Sequence, residues 1–264
     1  MERITSGDAE IFYEILGSGP PVVLLHPFPA NHEFWRPVSQ TLVSRYRLIL
    51  PDLRGHGESG VGDGPALMEK HAEDIARILD HADAGRMPFV GVSIGGYIFF
   101  EFWRRFRGRI AAVVLCNTKA PADTPEGKAS RLQAANDVLE RGTEPFFESM
   151  IPRLLGKTTR ETRPDLVDGA LGMMRKMSPE DVAQVQRGMA ERPDSVTTLK
   201  TINVPTLVLA GDEDILTGPP EAELMHSNIA GSEMKIVPRA GHFSPWEQPE
   251  QVGKILRQFL DSLA

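Results

Sequence analysis

Cysteine is nearly missing from this chain. Cys116 is the only one in 264 residues, which excludes an intramolecular disulfide and every cysteine-based zinc pattern. That usage suits a reducing compartment, so a cytoplasmic location is expected. No run of about 18 apolar residues occurs, and the opening MERITSGDAEIFYEI lacks a basic stretch followed by an apolar one, so neither a membrane span nor a signal peptide is expected. Positive charge is in deficit, with 29 Lys and Arg against 36 Asp and Glu and a net charge of −7, the wrong sign for a phosphate-tracking surface. Nucleic acid and membrane are therefore not expected partners. The 24 glycines and 21 prolines are dispersed, leaving no low-complexity tract, and no internal repeat is present.

What is present is an alternation. Short, nearly unbroken apolar runs at Val22–Leu25, Tyr46–Leu50, Met87–Val92, Ile110–Leu115, Pro205–Ala210 and Met234–Val237 read as strands buried on both faces. Between them, Phe34–Arg45, Ala66–His81, Gly95–Phe106 and Pro249–Leu263 carry apolar residues at three- and four-residue spacing, the pattern of crossover helices. The segments Glu2–Ser6 and Glu10–Leu16, separated by Gly7 and Asp8, predict an antiparallel hairpin at the sheet edge. The expected class is α/β with a mostly parallel sheet. From Lys119 to Thr201 the β rhythm stops, and a polar, helical stretch punctuated by Pro121, Pro125, Pro152, Pro164, Pro179 and Pro193 takes over. It is too long for a plain loop, and we read 119–201 as an inserted helical cap on a core formed by 1–118 and 202–264.

The strongest local motif is Gly91-Val92-Ser93-Ile94-Gly95, a Gly-x-Ser-x-Gly pattern followed by Gly96. Alone it is short enough to arise by chance, as a glycine-rich turn with an incidental serine. Its setting raises its weight: a buried-strand run precedes it and a helical run through Phe99, Phe100 and Trp103 follows, the strand–turn–helix context a nucleophilic serine requires. Such a serine needs a base, and the base an orienting acid. Downstream stand Gly211-Asp212-Glu213-Asp214 after one strand and Ala240-Gly241-His242-Phe243 after the last, giving the chain order serine, acid, histidine. Among Asp212, Glu213 and Asp214 the spacing alone leaves the acid open. Backbone N–H groups must also meet the developing oxyanion, and the residue after the serine, Ile94, supplies one.

With these pieces in order, the sequence resembles the α/β-hydrolase family over nearly all of the chain outside the cap. The resemblance is carried by Leu25-His26-Pro27-Phe28, by Asp52-Leu53-Arg54-Gly55-His56-Gly57-Glu58-Ser59, by the Ser93 turn, by Gly211–Asp214 and by Gly241-His242. Within the family it is similar to cofactor-free esterases, perhydrolase-type esterases and β-ketoadipate enol-lactonases, and Cys116-Asn117-Thr118 with Thr124–Arg131 look most like the lactonase branch. The resemblance implies an eight-stranded, mostly parallel sheet with flanking helices and a cap. It implies Ser93 as nucleophile, His242 as general base and then acid, and Asp214, three residues after the glycine, as the orienting acid. Asp212 is then a solvated or turn-capping carboxylate. The second oxyanion donor it implies is Phe28 N–H. Here the chain departs from the commoner His-Gly-x form: Pro27 has no N–H and restricts His26, whereas Phe28 keeps its donor.

The remaining candidates concern binding. His26 and His56 read as structural hydrogen-bonding residues, and no ligand spacing accompanies them, so neither metal nor cofactor is expected. Trp35, beside the entry loop with Phe28, and Met150 and Met174, in the cap with Met173, Met177 and Met189, are candidate substrate contacts; the alternative is that the methionines simply pack cap helices on the sheet. Trp246 is expected to anchor the His242 loop by packing. Arg153, Arg160, Arg163 and Arg175 are candidate partners for a substrate carboxylate, against the alternative of a solvated helix face. The resulting expectation is a serine-dependent hydrolase of a small ester or lactone acting through an acyl-enzyme. A C–C bond hydrolase, a perhydrolase and a non-turnover small-molecule receptor are the rivals. Relatives with an aspartate nucleophile, the haloalkane dehalogenases and epoxide hydrolases, are disfavoured because position 93 is serine.

Overall fold

A computed structural model describes residues 1–263. Eight strands, β1 (Glu2–Ser6), β2 (Ala9–Leu16), β3 (Pro21–Leu25), β4 (Arg47–Pro51), β5 (Met87–Val92), β6 (Ile110–Cys116), β7 (Thr206–Gly211) and β8 (Glu233–Val237), form one sheet. The spatial order is β1-β2-β4-β3-β5-β6-β7-β8. β1 pairs with β2 and β2 with β4 antiparallel, while β3 to β8 run parallel. The interior strands are fully or almost fully buried, which is why they read as unbroken apolar runs; β8, at the edge, keeps exposed residues.

Helices Met68–His81 and Ile94–Phe106 pack on each other, as do Arg36–Leu42 and Pro249–Asp261, and these pairs flank the sheet. The apolar stripe of Met68–His81 supplies Ala72, Ile75, Ile78 and Leu79 to the core. Pro219–Asn228 is a helix that no sequence periodicity announces, because its apolar residues do not gather on one face; only Ala222 and Met225 are buried.

Between β6 and β7 the chain forms six helices, Pro125–Arg141, Glu144–Leu154, Lys157–Thr162, Pro164–Met174, Pro179–Ala190 and Val196–Leu199. Pro125, Pro164 and Pro179 each open a helix, where the missing N–H costs nothing. Ser178 and Asp181 close a reciprocal cap at the start of Pro179–Ala190. That helix lies along Pro125–Arg141.

The strand order fixes where a site can form. β3 lies between β4 and β5, so the connections leaving β3 and β5 diverge and open a crevice at their carboxyl ends. Leu25 of β3 is level with Gly91 of β5, which brings the loop after β3 beside the turn after β5.

Candidate active site

Ser93 sits between β5 and the helix Ile94–Phe106 with φ +54° and ψ −113°, outside the regions a non-glycine residue ordinarily occupies. Holding it there costs on the order of 1–3 kcal/mol, which the surrounding hydrogen bonds offset. Ser93 N–H donates to Cys116 O at 3.1 Å, while Ser93 O accepts from Thr118 Oγ1 at 2.7 Å and from Gly96 N at 2.9 Å. The flanking glycines are steric requirements. A Cβ on Gly91 would stand 2.6 Å from the Gly95 carbonyl, and one on Gly95 would stand 2.7 Å from Leu25 O. The turn is therefore tight against both β3 and the following helix.

His242 lies on the loop after β8 and Asp214 on the loop after β7. Nδ1 of His242 is 3.0 Å from Asp214 Oδ2. A carboxylate only accepts, so Nδ1 carries the hydrogen and Nε2 is left as the basic nitrogen. Asp214 Oδ2 also accepts from Asn117 Nδ2 at 2.8 Å and Thr217 Oγ1 at 3.0 Å, and Oδ1 accepts from the backbone N–H groups of Leu216 and Thr217. Burial works against the Asp214 charge, but His242, Asn117 and the Leu216 N–H together hold its carboxyl well below the usual carboxylate range. Asn117 does more than brace the acid: its Nδ2 also donates to Gly241 O at 3.2 Å, and its Oδ1 accepts from Ser244 Oγ, so one amide ties the acid to the histidine loop. Sequence reasoning treated Asn117 only as a mark of a family branch; its φ of +44° at the end of β6 turns the amide toward both loops.

The neighbouring carboxylates have other partners. Asp212 Oδ1 accepts from Ala240 N at 3.3 Å as a turn cap. Glu213 accepts from Thr158 N at 2.7 Å, and the buried Glu247 accepts from Gly156 N, Thr159 Oγ1 and Gly241 N, so both hold the helix Lys157–Thr162 against the His242 loop. Burial pushes the Glu247 carboxyl up, and those three donors oppose the shift. Trp246 joins the same seam through Nε1–H to Leu166 O at 3.1 Å and stacking on Phe34.

Phe28 lies on the loop after β3, with Ala30 N donating to Pro27 O at 2.9 Å and a cis peptide between Phe28 and Pro29. Beneath it, His26 Nδ1 meets Pro27 O at 2.9 Å and Nε2 accepts Leu53 N–H at 3.0 Å. Complete burial, with a smaller contribution from the neighbouring His56, pushes the His26 imidazole down to about 3, so it is neutral. Asp52 accepts from His32 and from Glu58 N. Arg54 clasps Asp74 through two nitrogens at 2.9 and 2.8 Å and also binds Asp8, fastening this loop to the β1–β2 hairpin. The Asp52–Ser59 motif is thus a scaffold under the Phe28 loop. No group of three or more His, Cys, Asp or Glu able to hold a metal occurs among the described residues.

Ser93, His242 and Phe28 line one cavity of about 350 Å³, a volume suited to a small organic ligand. The helical segment between β6 and β7 supplies much of the remaining wall, including Arg131, Phe146, Met150, Arg153 and Met189.

A family model described as the alpha/beta hydrolase fold matches residues 20–249. The chain belongs to the α/β-hydrolase family. It is 26% identical over 246 residues, 93% of this chain and 90% of its relative, to 3-oxoadipate enol-lactonase 1 of Acinetobacter baylyi. A thermophilic esterase from Thermogutta terrifontis, solved with malate bound, superposes with a TM-score of 0.96 at 39% identity over 100% of this chain and 99% of its own. The enol-lactonase from Burkholderia xenovorans LB400 superposes with a TM-score of 0.92 at 25% identity, covering 98% and 100%. Ester or lactone hydrolysis in general is the activity these relationships support, and the fold and family expected from the motifs are those found.

In this α/β-hydrolase the sequence-derived binding residues fare unequally. Met150 lines the cavity. Trp35 does not: it is fully buried in the core, edge-on to Phe34. Met174 is also fully buried and does not line the cavity, because it lies with Ala170 and Met173 on the inward face of Pro164–Met174; Met177, just beyond that helix, is buried too and likewise does not line it. Of the four arginines, Arg153 reaches the cavity, whereas Arg163 pairs with Asp165, Arg175 with Glu144, and Arg160 donates to Leu155 O. Lys119, Asp123 and Arg131, which also line it, were not anticipated; they bracket the start of the helical segment, where a charged run reads as solvated surface. No helix among the described residues is long and apolar enough to cross a membrane.

Proposed function

We propose that this protein is a serine hydrolase of small carboxylic esters or lactones, with Ser93 as nucleophile, His242 as general base and acid, and Asp214 as the acid that orients it. The observation that carries the reading is the joint one: Ser93, on a turn with strained backbone, lines the same cavity as His242, whose Nδ1 is bound to Asp214. Ser93 Oγ attacks the carbonyl carbon while His242 Nε2 takes the hydroxyl proton. The carbonyl oxygen becomes an anion facing the N–H groups of Phe28 and Ile94; Ile94 opens its helix, where backbone donors lack intrahelical acceptors and the dipole favours negative charge. Such a donor is typically worth about 2.7–4 kcal/mol. The imidazolium then protonates the leaving alkoxide, giving an acyl-enzyme and the alcohol; for a lactone the two remain one molecule. Water, deprotonated by His242, attacks the acyl carbon, and Ser93 leaves with the proton returned. In this reading the segment 119–201 acts as a cap that shapes the acyl pocket, with Met150 as one of its contacts.

Hydrolysis of p-nitrophenyl acetate, butyrate and octanoate and of a small lactone panel tests this. Turnover is expected in the wild type and lost in folded Ser93→Ala, with a fluorophosphonate labelling Ser93. Near-wild-type rates in that variant overturn the assignment, and labelling without turnover on any of these substrates shifts it toward a receptor.

A further inference from the structure

The helices Pro125–Arg141 and Glu144–Leu154 turn back on each other through Gly142 and Thr143, and the furrow between them does not end at the catalytic cavity. Gly127, Arg131 and Ala134 on the first helix and Phe146, Met150 and Arg153 on the second line that cavity at three- and four-residue spacing, so each helix turns one face to it. Further along the furrow lies a second cavity of about 200 Å³, against about 350 Å³ for the first. Its inner wall is made by Ala134, Phe146 and the buried Val138, while Arg141, Pro145 and Ser149 stand exposed at its rim. Among the described residues, only Ala134 and Phe146 line both cavities.

Packings on either side set the Phe146 ring. Phe147, Ile151 and Leu154 are the buried residues of its helix and fix how that helix is rotated. Phe146 is left half-buried at the edge of the packed face, its ring centroid 6.2 Å from that of Phe28 and 5.9 Å from that of Phe147. Phe28 in turn lines the catalytic cavity with Ser93. Opposite the ring, Ala134 offers only a methyl group, so Phe146 supplies the bulk that separates the two spaces. Beyond it the inner wall presents no hydrogen-bonding side chain, and Asp137, which also lines this cavity, is already held by Gln133 Nε2 at 2.8 Å. Such a wall favours methylenes over polar groups.

We propose that Phe146 sets how long an alkyl chain the catalytic cavity accepts, and that the furrow beyond its ring is an alkyl-chain site which that ring closes off. This rests on the serine hydrolase reading and deepens it by naming the side chain that decides chain length.

The test compares p-nitrophenyl butyrate with p-nitrophenyl decanoate in the wild type, in Phe146→Ala, and in Phe146→Ala combined with Val138→Phe, which refills the furrow from a residue that lines it alone. Each methylene withdrawn from water is worth roughly fourfold in affinity, so about two of them sheltered beyond position 146 should raise the decanoate-to-butyrate ratio of kcat/KM by about tenfold or more in Phe146→Ala, chiefly through KM for the decanoate. In the double variant the ratio should return toward the wild-type value. Lost packing on Phe28 slows both esters alike and leaves the ratio unmoved, which separates a chain-length role from a merely structural one. An unchanged ratio in Phe146→Ala, or a rise that persists in full with Val138→Phe present, overturns the proposal. Should Phe146→Ala fail to fold, Phe146→Leu is read by the same ratio, and should Val138→Phe fail, Ser149→Trp fills the furrow from its rim. Calorimetric titration of 1-octanol into Ser93→Ala, with and without Phe146→Ala, reads the furrow without chemistry: tighter binding in the double variant supports it, and equal binding overturns it. Tighter octanol binding without turnover of any ester removes the hydrolase reading and keeps the alkyl site; turnover with an unmoved ratio does the reverse.

Discussion

Three histidines buried under the site should make this protein acid-labile well above the carboxylate range. His26, His56 and His71 are each at most 1% exposed. His26 Nε2 already accepts Leu53 N–H, so a proton there would set two donors face to face. His56 uses Nδ1 toward Arg54 O and has no partner for Nε2, and neither nitrogen of His71 has a partner. Burial pushes His26 down to about 3 and His56 to about 4, and it holds His71 well below the ordinary histidine value, with nearby His56 and Arg54 adding to the effect. Above pH 6.5 both folded and unfolded chains carry these rings neutral, and stability is at its plateau. Below it the unfolded chain takes up protons that the folded one refuses, so stability falls by about 1.4 kcal/mol per pH unit per ring until the folded value is reached. Between pH 6.5 and 5, His26 and His56 each remove about 2 kcal/mol, against a typical total of roughly 5–15 kcal/mol. Urea unfolding followed by tryptophan fluorescence at constant ionic strength from pH 7.5 to 5 measures this. The His71→Leu variant, which deletes two unpartnered nitrogens, should be more stable by about 1 kcal/mol at pH 7.5 and show a shallower pH slope. A flat profile between pH 7 and 5, or an unchanged slope in His71→Leu, refutes the reasoning.

Other perturbations act nearer the chemistry. Asp214→Asn removes the acceptor that sets the His242 tautomer, so kcat should fall by about 10⁴ with the fold intact by circular dichroism. Asn117→Ala frees both Asp214 and the Gly241 carbonyl; losing donors worth about 1–2 kcal/mol should lower kcat by roughly five- to thirtyfold with little change in KM, read by steady-state kinetics. Gly95→Ala drives a methyl into Leu25 O and should cost about 1–3 kcal/mol, lowering Tm in calorimetry.

Much of the fold was legible because its signals are local. Val22–Leu25, Met87–Val92 and Ile110–Leu115 are continuous apolar runs only because parallel strands are buried on both faces, and their structural bounds differ from the pattern by a residue or so. Pro219–Asn228 escaped because its helix lacks an apolar stripe and is held by packing against β7 and β8. In the site, glycine spacing marked the turn at Ser93, since close approach to Leu25 and Gly95 admits no side chain. Trp35 and Met174 were misplaced because large apolar side chains look alike in a sequence whether they face a cavity or a core.

The chain by itself determined the alternation of buried strands with crossover helices, the glycine-flanked turn at Ser93 with carboxylates and then a histidine downstream, and the exclusion of an intramolecular disulfide, because periodicity, turn residues and composition are written along the backbone. The tertiary structure alone decided that Asp214 meets His242 while Asp212 and Glu213 serve turn and helix ends, that Asn117 braces both loops, and that Lys119, Arg131 and Arg192 converge on Asp123 from positions as far apart as 119 and 192. Those contacts depend on which strand ends the sheet sets side by side, and charged side chains disclose their partners only when such distant segments are brought within hydrogen-bonding reach.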